Sequence, residues 1–82
     1  MRIYMQRPAL DGKPPRFVQI IMQQDLIEGW TLIIEQGQQG RAGRTQRSYF
    51  EDFDDAQEAM SQARDKQLKL GYRVVFAEGM QA

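Results

Sequence analysis

"DFDDAQEAMSQARDKQLKLGYRVVF", residues 52–76, changes its apolar periodicity partway through, and that change decides the fold. Ala56, Ala59, Met60, Ala63, Gln67 and Leu70 recur at steps of three and four, which is the spacing of one helix face. The small side chains on that face suit close packing against a sheet. Asp54, with Gln57 three residues on, reads as the N-cap of a capping box, and acids gather where the helix dipole favours them. Gly71 falls at the C′ position, and Lys66 and Lys69 complement the negative end of the dipole in the closing turn. The helix is therefore predicted to start at Asp54 and end at Gly71. "YRVVF" then reads as a strand and "AEGMQA" as a frayed tail.

Upstream of the helix the period is two. "RFVQIIMQQ", residues 16–24, sets Val18, Ile20 and Met22 on one face against Phe17, Gln19, Ile21 and Gln23 on the other. "WTLIIEQ", residues 30–36, alternates Trp30, Leu32 and Ile34 with Thr31, Ile33 and Glu35, and Trp30 reads as a packing residue. "RIYMQR" precedes these as a first strand, joined by an Asp11-Gly12 turn with Pro14 and Pro15 after it. "RTQRSYFEDF", rich in Thr, Tyr and Phe, is the fourth strand. The predicted order is β-β-β-β-α-β: an α+β fold with a five-stranded antiparallel sheet and one helix packed on one face. One domain is expected over residues 1–76, with 77–82 a flexible tail.

Composition narrows the function classes. With 82 residues and eight aromatics the chain builds one core without a staple. It contains no Cys, which removes disulfides, thiolate nucleophiles and Cys-based zinc sites, and fits a reducing, cytoplasmic setting. It contains no His, so the commonest general base and metal ligand is missing, and Ser48 and Ser61 have nothing of that kind to activate them. Glu51, Asp52, Asp54, Asp55 and Glu58 are read as acids of a helix start rather than a cation site. No catalytic residue, cofactor or metal is expected, and no apolar run is long enough for a membrane span. Eleven basic and eleven acidic residues cancel. Their distribution is uneven: residues 36–50 carry three arginines and no acid, 51–58 five acids and no base, and 66–73 three bases.

The arginines fall in "EQGQQGRAGRTQR", residues 35–47, where Gly37, Gly40 and Gly43 are threaded with Arg41, Arg44 and Arg47. The segment lies between two strands and matches neither the dinucleotide fingerprint nor a P-loop. It admits two readings. Hairpin loops and their bulges demand glycine, which by itself accounts for all three. Alternatively, exposed backbone N–H groups form an anion-binding concavity that the guanidinium groups complete. In the first reading, alternation divides the three arginines between the two sheet faces.

The order of elements, together with "GWTLIIE", "QGQQG", "RSYFEDF", the Ala-rich helix and "GYRVVF", resembles the WGR domain family over residues 16–76. Such domains accompany the catalytic part of DNA-dependent poly(ADP-ribose) polymerases and also occur alone in bacteria. The resemblance implies a non-enzymatic DNA-binding module. Gly37 and Gly40 match the two glycines of the Trp-Gly-Arg-x-Gly signature, whereas Gln36 stands at its Trp and Gln38 at its Arg. An aromatic platform for nucleic acid is worth about 1–3 kcal/mol, and Gln does not supply one.

Two functions follow. In the first, Arg41, Arg44 and Arg47, with Gln36 and Gln38, contact nucleic-acid phosphates, supported by a secondary basic patch of Lys66, Lys69 and Arg73. Three such contacts give a log–log salt slope of about −2.7 and sequence-blind binding. In the second, the scaffold serves protein interaction or self-association through an exposed sheet edge.

Overall fold

A computed structural model describes residues 1–25, 27 and 29–79. Strands β1 (Arg2–Arg7), β2 (Arg16–Gln24), β3 (Trp30–Gln38) and β4 (Arg44–Phe50) precede helix α1 (Phe53–Lys69), and β5 (Arg73–Glu78) follows it. The five strands form one antiparallel sheet in the order β4-β3-β2-β1-β5. The first four strands are neighbours in chain order, so each of them pairs with the next. The helix then carries the chain back across the sheet, so that β5 pairs with β1.

The register keeps all apolar sets on one side. Ile3 lies opposite Ile20, Ile20 opposite Ile34, and Met22 opposite Leu32, so the odd residues of β1 and the even residues of β2 and β3 share a face. That face carries the core of Ile3, Met5, Val18, Ile20, Met22 and Leu32. Helix α1 packs across β2, β3 and β4 and contributes Ala56 and Met60, both essentially inaccessible. Alanine there lets the backbone approach, and Met60 fills the space between.

On the helix-free face the rings of Tyr4 and Phe17 stack with centroids 6.2 Å apart, and those of Tyr4 and Phe76 at 5.5 Å. The Tyr4 hydroxyl accepts hydrogen bonds from Gln39 Nε2 at 2.7 Å and Gln6 Nε2 at 3.3 Å. Arg2 lies over Phe76, 5.0 Å from the ring centroid, and pairs with Glu78 at 2.9 Å. A sheet face without a helix is thus partly covered by its own aromatics.

Both ends of the helix are instructive. It begins at Phe53, not at Asp54, with Asp52 as N-cap and no side-chain capping bond. The reason is packing: the Phe53 ring meets Trp30 edge-on at a centroid distance of 4.9 Å. Burying an aromatic pair outweighs a cap worth about 1 kcal/mol. Asp54 and Asp55 consequently sit inside the first turn, where the dipole still favours them. Moving the start to Phe53 also ends β4 at Phe50 rather than at residue 53.

At the other end, Gly71 has φ +92 and donates its N–H to Leu68 O at 3.1 Å, while Tyr72 N–H donates to Gln67 O at 3.0 Å. These two bonds make a Schellman motif with Gly71 at C′, as the sequence predicts. Leu70, expected on the buried face, is instead the exposed C-cap residue. Strand β5 runs to Glu78, so Ala77 and Glu78, expected in the tail, pair with Ile3 and Arg2. Residues 80–82 of that tail lie outside the described residues, as do Leu26 and Glu28 of the β2–β3 bend. No helix among the described residues is long and apolar enough to cross a membrane.

Replacing Met60 by Ala, at a side chain 1% exposed, is expected to lower unfolding free energy by about 2–5 kcal/mol in urea titrations. Gly71→Ala, which forces a Cβ into the left-handed region, is expected to lose about 1–2 kcal/mol in the same measurement.

Candidate nucleic-acid interface

The sheet register assembles cations at the sheet end nearest the helix C-terminus. Arg7 ends β1 opposite Arg16, Arg16 lies opposite Gln38, and Gln36 lies opposite Arg44. Cross-strand partners share a face, so Arg7, Arg16, Gln36, Gln38 and Arg44 all belong to the helix side. They continue the parity of the core beyond the point where the helix stops covering it.

Tyr72 organises this end. The Schellman turn returns the chain to the sheet and leaves the side chain only 5% exposed. Arg7 stacks over its ring, 5.0 Å from the centroid, and donates from Nη1 to the Leu70 carbonyl at 3.4 Å. Arg16 donates from Nε to the Tyr72 hydroxyl at 3.4 Å. Leu70 O is one of the carbonyls at the negative end of the helix dipole, so it suits a cation. A single aromatic therefore positions two guanidinium groups that stand nine residues apart in the chain.

Two shallow clefts meet at Arg7. One, of about 210 Å³, is lined by Gln36, Gln46, Lys66, Gln67 and Tyr72 among others. The second, of about 340 Å³, is lined by Lys13, Arg16, Gln38 and the β1–β2 loop, including Asp11. Ion pairs among the described residues join Arg2 to Glu78 and Arg64 to Asp65. None of Arg7, Lys13, Arg16, Arg44 or Lys66 takes part in one, so their charge is available to an incoming anion. A larger hollow of about 560 Å³ lies at the opposite end of β1, but its Arg2 is already neutralised by Glu78.

The residues singled out from the sequence are divided by this geometry. Gln36, Gln38, Arg44 and Lys66 fall in or beside the clefts. Arg41 is exposed in the β3–β4 loop, and Lys69 is exposed on the last helical turn. Arg47 lies opposite Ile33 and therefore on the helix-free face, away from Arg44. Arg73 is opposite Gln6, also on that face. The three hairpin arginines thus do not converge.

The loop glycines have structural work of their own. Gly40 takes φ +83 in a turn closed by Arg41 N–H to Gln38 O at 3.2 Å. Gly37 and Gly43 pass so closely that a Cβ on Gly43 would lie 2.8 Å from Gln36 O, and one on Gly37 3.0 Å from the Gly43 Cα. The hairpin reading therefore accounts for all three glycines.

Sequence reasoning missed Arg7, Lys13, Arg16 and Tyr72. A signal existed for two of them: Arg7 has the same parity as Ile3 and Met5, and Arg16 the same parity as Val18, Ile20 and Met22, which places both on the core face just past the core. Nothing local in the sequence brings Tyr72 to them. Among the described residues, no cluster of His, Cys, Asp or Glu is able to hold a metal ion.

Comparison with curated proteins and with solved structures yields no match. The family model of the WGR domain matches residues 1–78, which takes in all five strands, the helix and both arginines held by Tyr72. With that match and the antiparallel sheet and helix described above, the chain belongs to the WGR domain family, a nucleic-acid-binding type of module that is not catalytic on its own.

Proposed function

We propose that this WGR domain is a non-enzymatic accessory module that binds the phosphate backbone of DNA through the cleft end of the sheet. Arg7 and Arg16 supply the principal contacts. Lys13, Lys66 and Arg44 surround them, with Gln36 and Gln38 as neutral hydrogen-bonding neighbours. The observation that carries this reading is the clamping of Arg7 and Arg16 on Tyr72, without carboxylate partners, beside the positions of the family signature. Guanidinium groups held in place lose less side-chain entropy when they bind phosphate.

Binding of this kind is sequence-blind, because phosphate contacts position a protein without reading base edges. It is also modest. Gln36 offers no aromatic face where the signature has Trp, so electrostatics carries most of the affinity and salt weakens it steeply. A neutral molecule with this local cation cluster still presents a positive field at one end. Gln36 and Gln38 retain donors for phosphate or sugar oxygens, at the cost of the charge and π-face of the signature residues.

Fluorescence titration of labelled DNA in low salt, repeated across a salt series, tests the proposal. The double variant Arg7→Ala/Arg16→Ala is expected to lower the magnitude of the log–log slope by about 1.8 on duplex DNA, two contacts at about 0.9 each. Arg47→Ala, on the far face, leaves the slope unchanged. Unaltered binding in the double variant, with its fold verified by circular dichroism, removes the cleft from the account. Gln36→Trp is expected to strengthen binding by about 1–3 kcal/mol in the same titration by restoring a stacking surface.

A further inference from the structure

The two edges of the sheet are unlike. Strand β4 carries Arg44 and Arg47 and is otherwise mostly polar, a composition that discourages edge pairing. Strand β5 reads RVVFAE, with Val74 44%, Val75 54% and Phe76 40% exposed. Its outer edge is unpaired among the described residues, since β1 alone pairs with it.

The register of β5 on β1 gives it an unusual pattern of faces. Arg73, Phe76 and Glu78 lie opposite Gln6, Tyr4 and Arg2, on the helix-free side; Val74 and Ala77 lie opposite Met5 and Ile3, on the helix side. The register shifts between Tyr4 and Met5, which makes Val75 an extra residue in β5. Val75 lines a hollow with Gln6, Arg7 and Arg73 but not with Val74 or Met5, and, read with Phe76 as the bulge pair opposite Tyr4, it shares the helix-free side. From Arg73 to Glu78 the faces therefore run free, helix, free, free, helix, free, which is the same in both directions. A regular strand of six residues alternates and lacks that property.

We propose that β5 pairs antiparallel with the β5 of a second copy of this chain, about a two-fold axis between Val75 and Phe76. In that register Arg73 meets Glu78, Val74 meets Ala77 and Val75 meets Phe76 of the other copy, each pair on a common face. The charges are complementary: the strand is positive at its start and negative at its end, so each copy places Arg73 beside the other's Glu78. Glu78 then lies between its own Arg2, at 2.9 Å, and the second copy's Arg73. The bulge that would spoil pairing with an ordinary strand is matched by its twin, which makes the edge selective for itself. The inference is independent of the nucleic-acid reading, because Arg7 and Arg16 play no part in it.

Sedimentation equilibrium without nucleic acid, from about 10 µM to about 1 mM, where small interfaces dissociate, is expected to show a reversible dimer. Phe76→Lys is expected to remain monomeric throughout. Arg73→Glu and Glu78→Arg, each alone, place like charges together and are expected to raise the dimer Kd at least about tenfold. An equimolar mixture of the two is expected to regain wild-type affinity, since one variant then presents only acids and the other only bases at these positions. That rescue also shows that both variants are folded. A wild-type chain that stays monomeric over this range, a dimer indifferent to Phe76→Lys, or a mixture no tighter than its components overturns the proposal.

Discussion

The seating of α1 on the central strands governs the rest of this molecule. Val18, Ile20, Met22 and Leu32 offer a branched apolar surface, and α1 meets it with Ala56 and Met60. Small side chains bring the helix close, and one flexible thioether fills what remains. The position of the helix determines where its last turn ends, and so where Gly71 reverses the chain. Tyr72 follows that reversal by one residue, and Arg7 and Arg16 depend on Tyr72. A chain of packing contacts thus runs from the core to the cation cluster.

Electrostatics on this scaffold is local. Formal charge sums to zero, yet Arg7, Lys13, Arg16, Arg44 and Lys66 gather at one end while acids occupy the helix start. Separation of this kind follows from the strand order. Residues at adjacent ends of β1, β2, β3 and β4 come together however far apart they lie in sequence. The family signature falls in the same place, with Gln36 and Gln38 on the side of the two clamped arginines. The first glycine of that signature is accounted for by backbone approach: a Cβ on Gly37 would lie 3.0 Å from the Gly43 Cα. Its flanking residues, Gln36 and Gln38, are the ones that differ from the signature.

The two faces of the sheet solve different problems. One is sealed by a helix; the other carries a row of Phe17, Tyr4 and Phe76 rings, tied by Gln39 and Gln6 at the Tyr4 hydroxyl. The row stops at β5, an edge strand that retains exposed apolar side chains. Arg47 and Arg73 stand on this second face, which is why cations close in the sequence to Arg44 or Lys69 do not join the cleft cluster.

Periodicity determined β2, β3 and α1, because alternation in the two strands and three-to-four spacing in the helix are written in neighbouring residues. The same holds for the Gly71 stop, where the need for positive φ is a property of one residue and its turn. The helix start was not legible: a capping box at Asp54 and Gln57 is a local signal, but Phe53 answers to Trp30, more than twenty positions away. Only the tertiary structure brought the candidate site together. Arg7, Arg16, Gln38 and Tyr72 belong to three strands and the turn after the helix, and strand register with the Schellman turn brings them together. Arg41, Arg44 and Arg47 look like a cluster in the sequence, yet a pleated strand sends Arg44 and Arg47 to opposite faces, because side chains alternate along a strand whatever charge they carry.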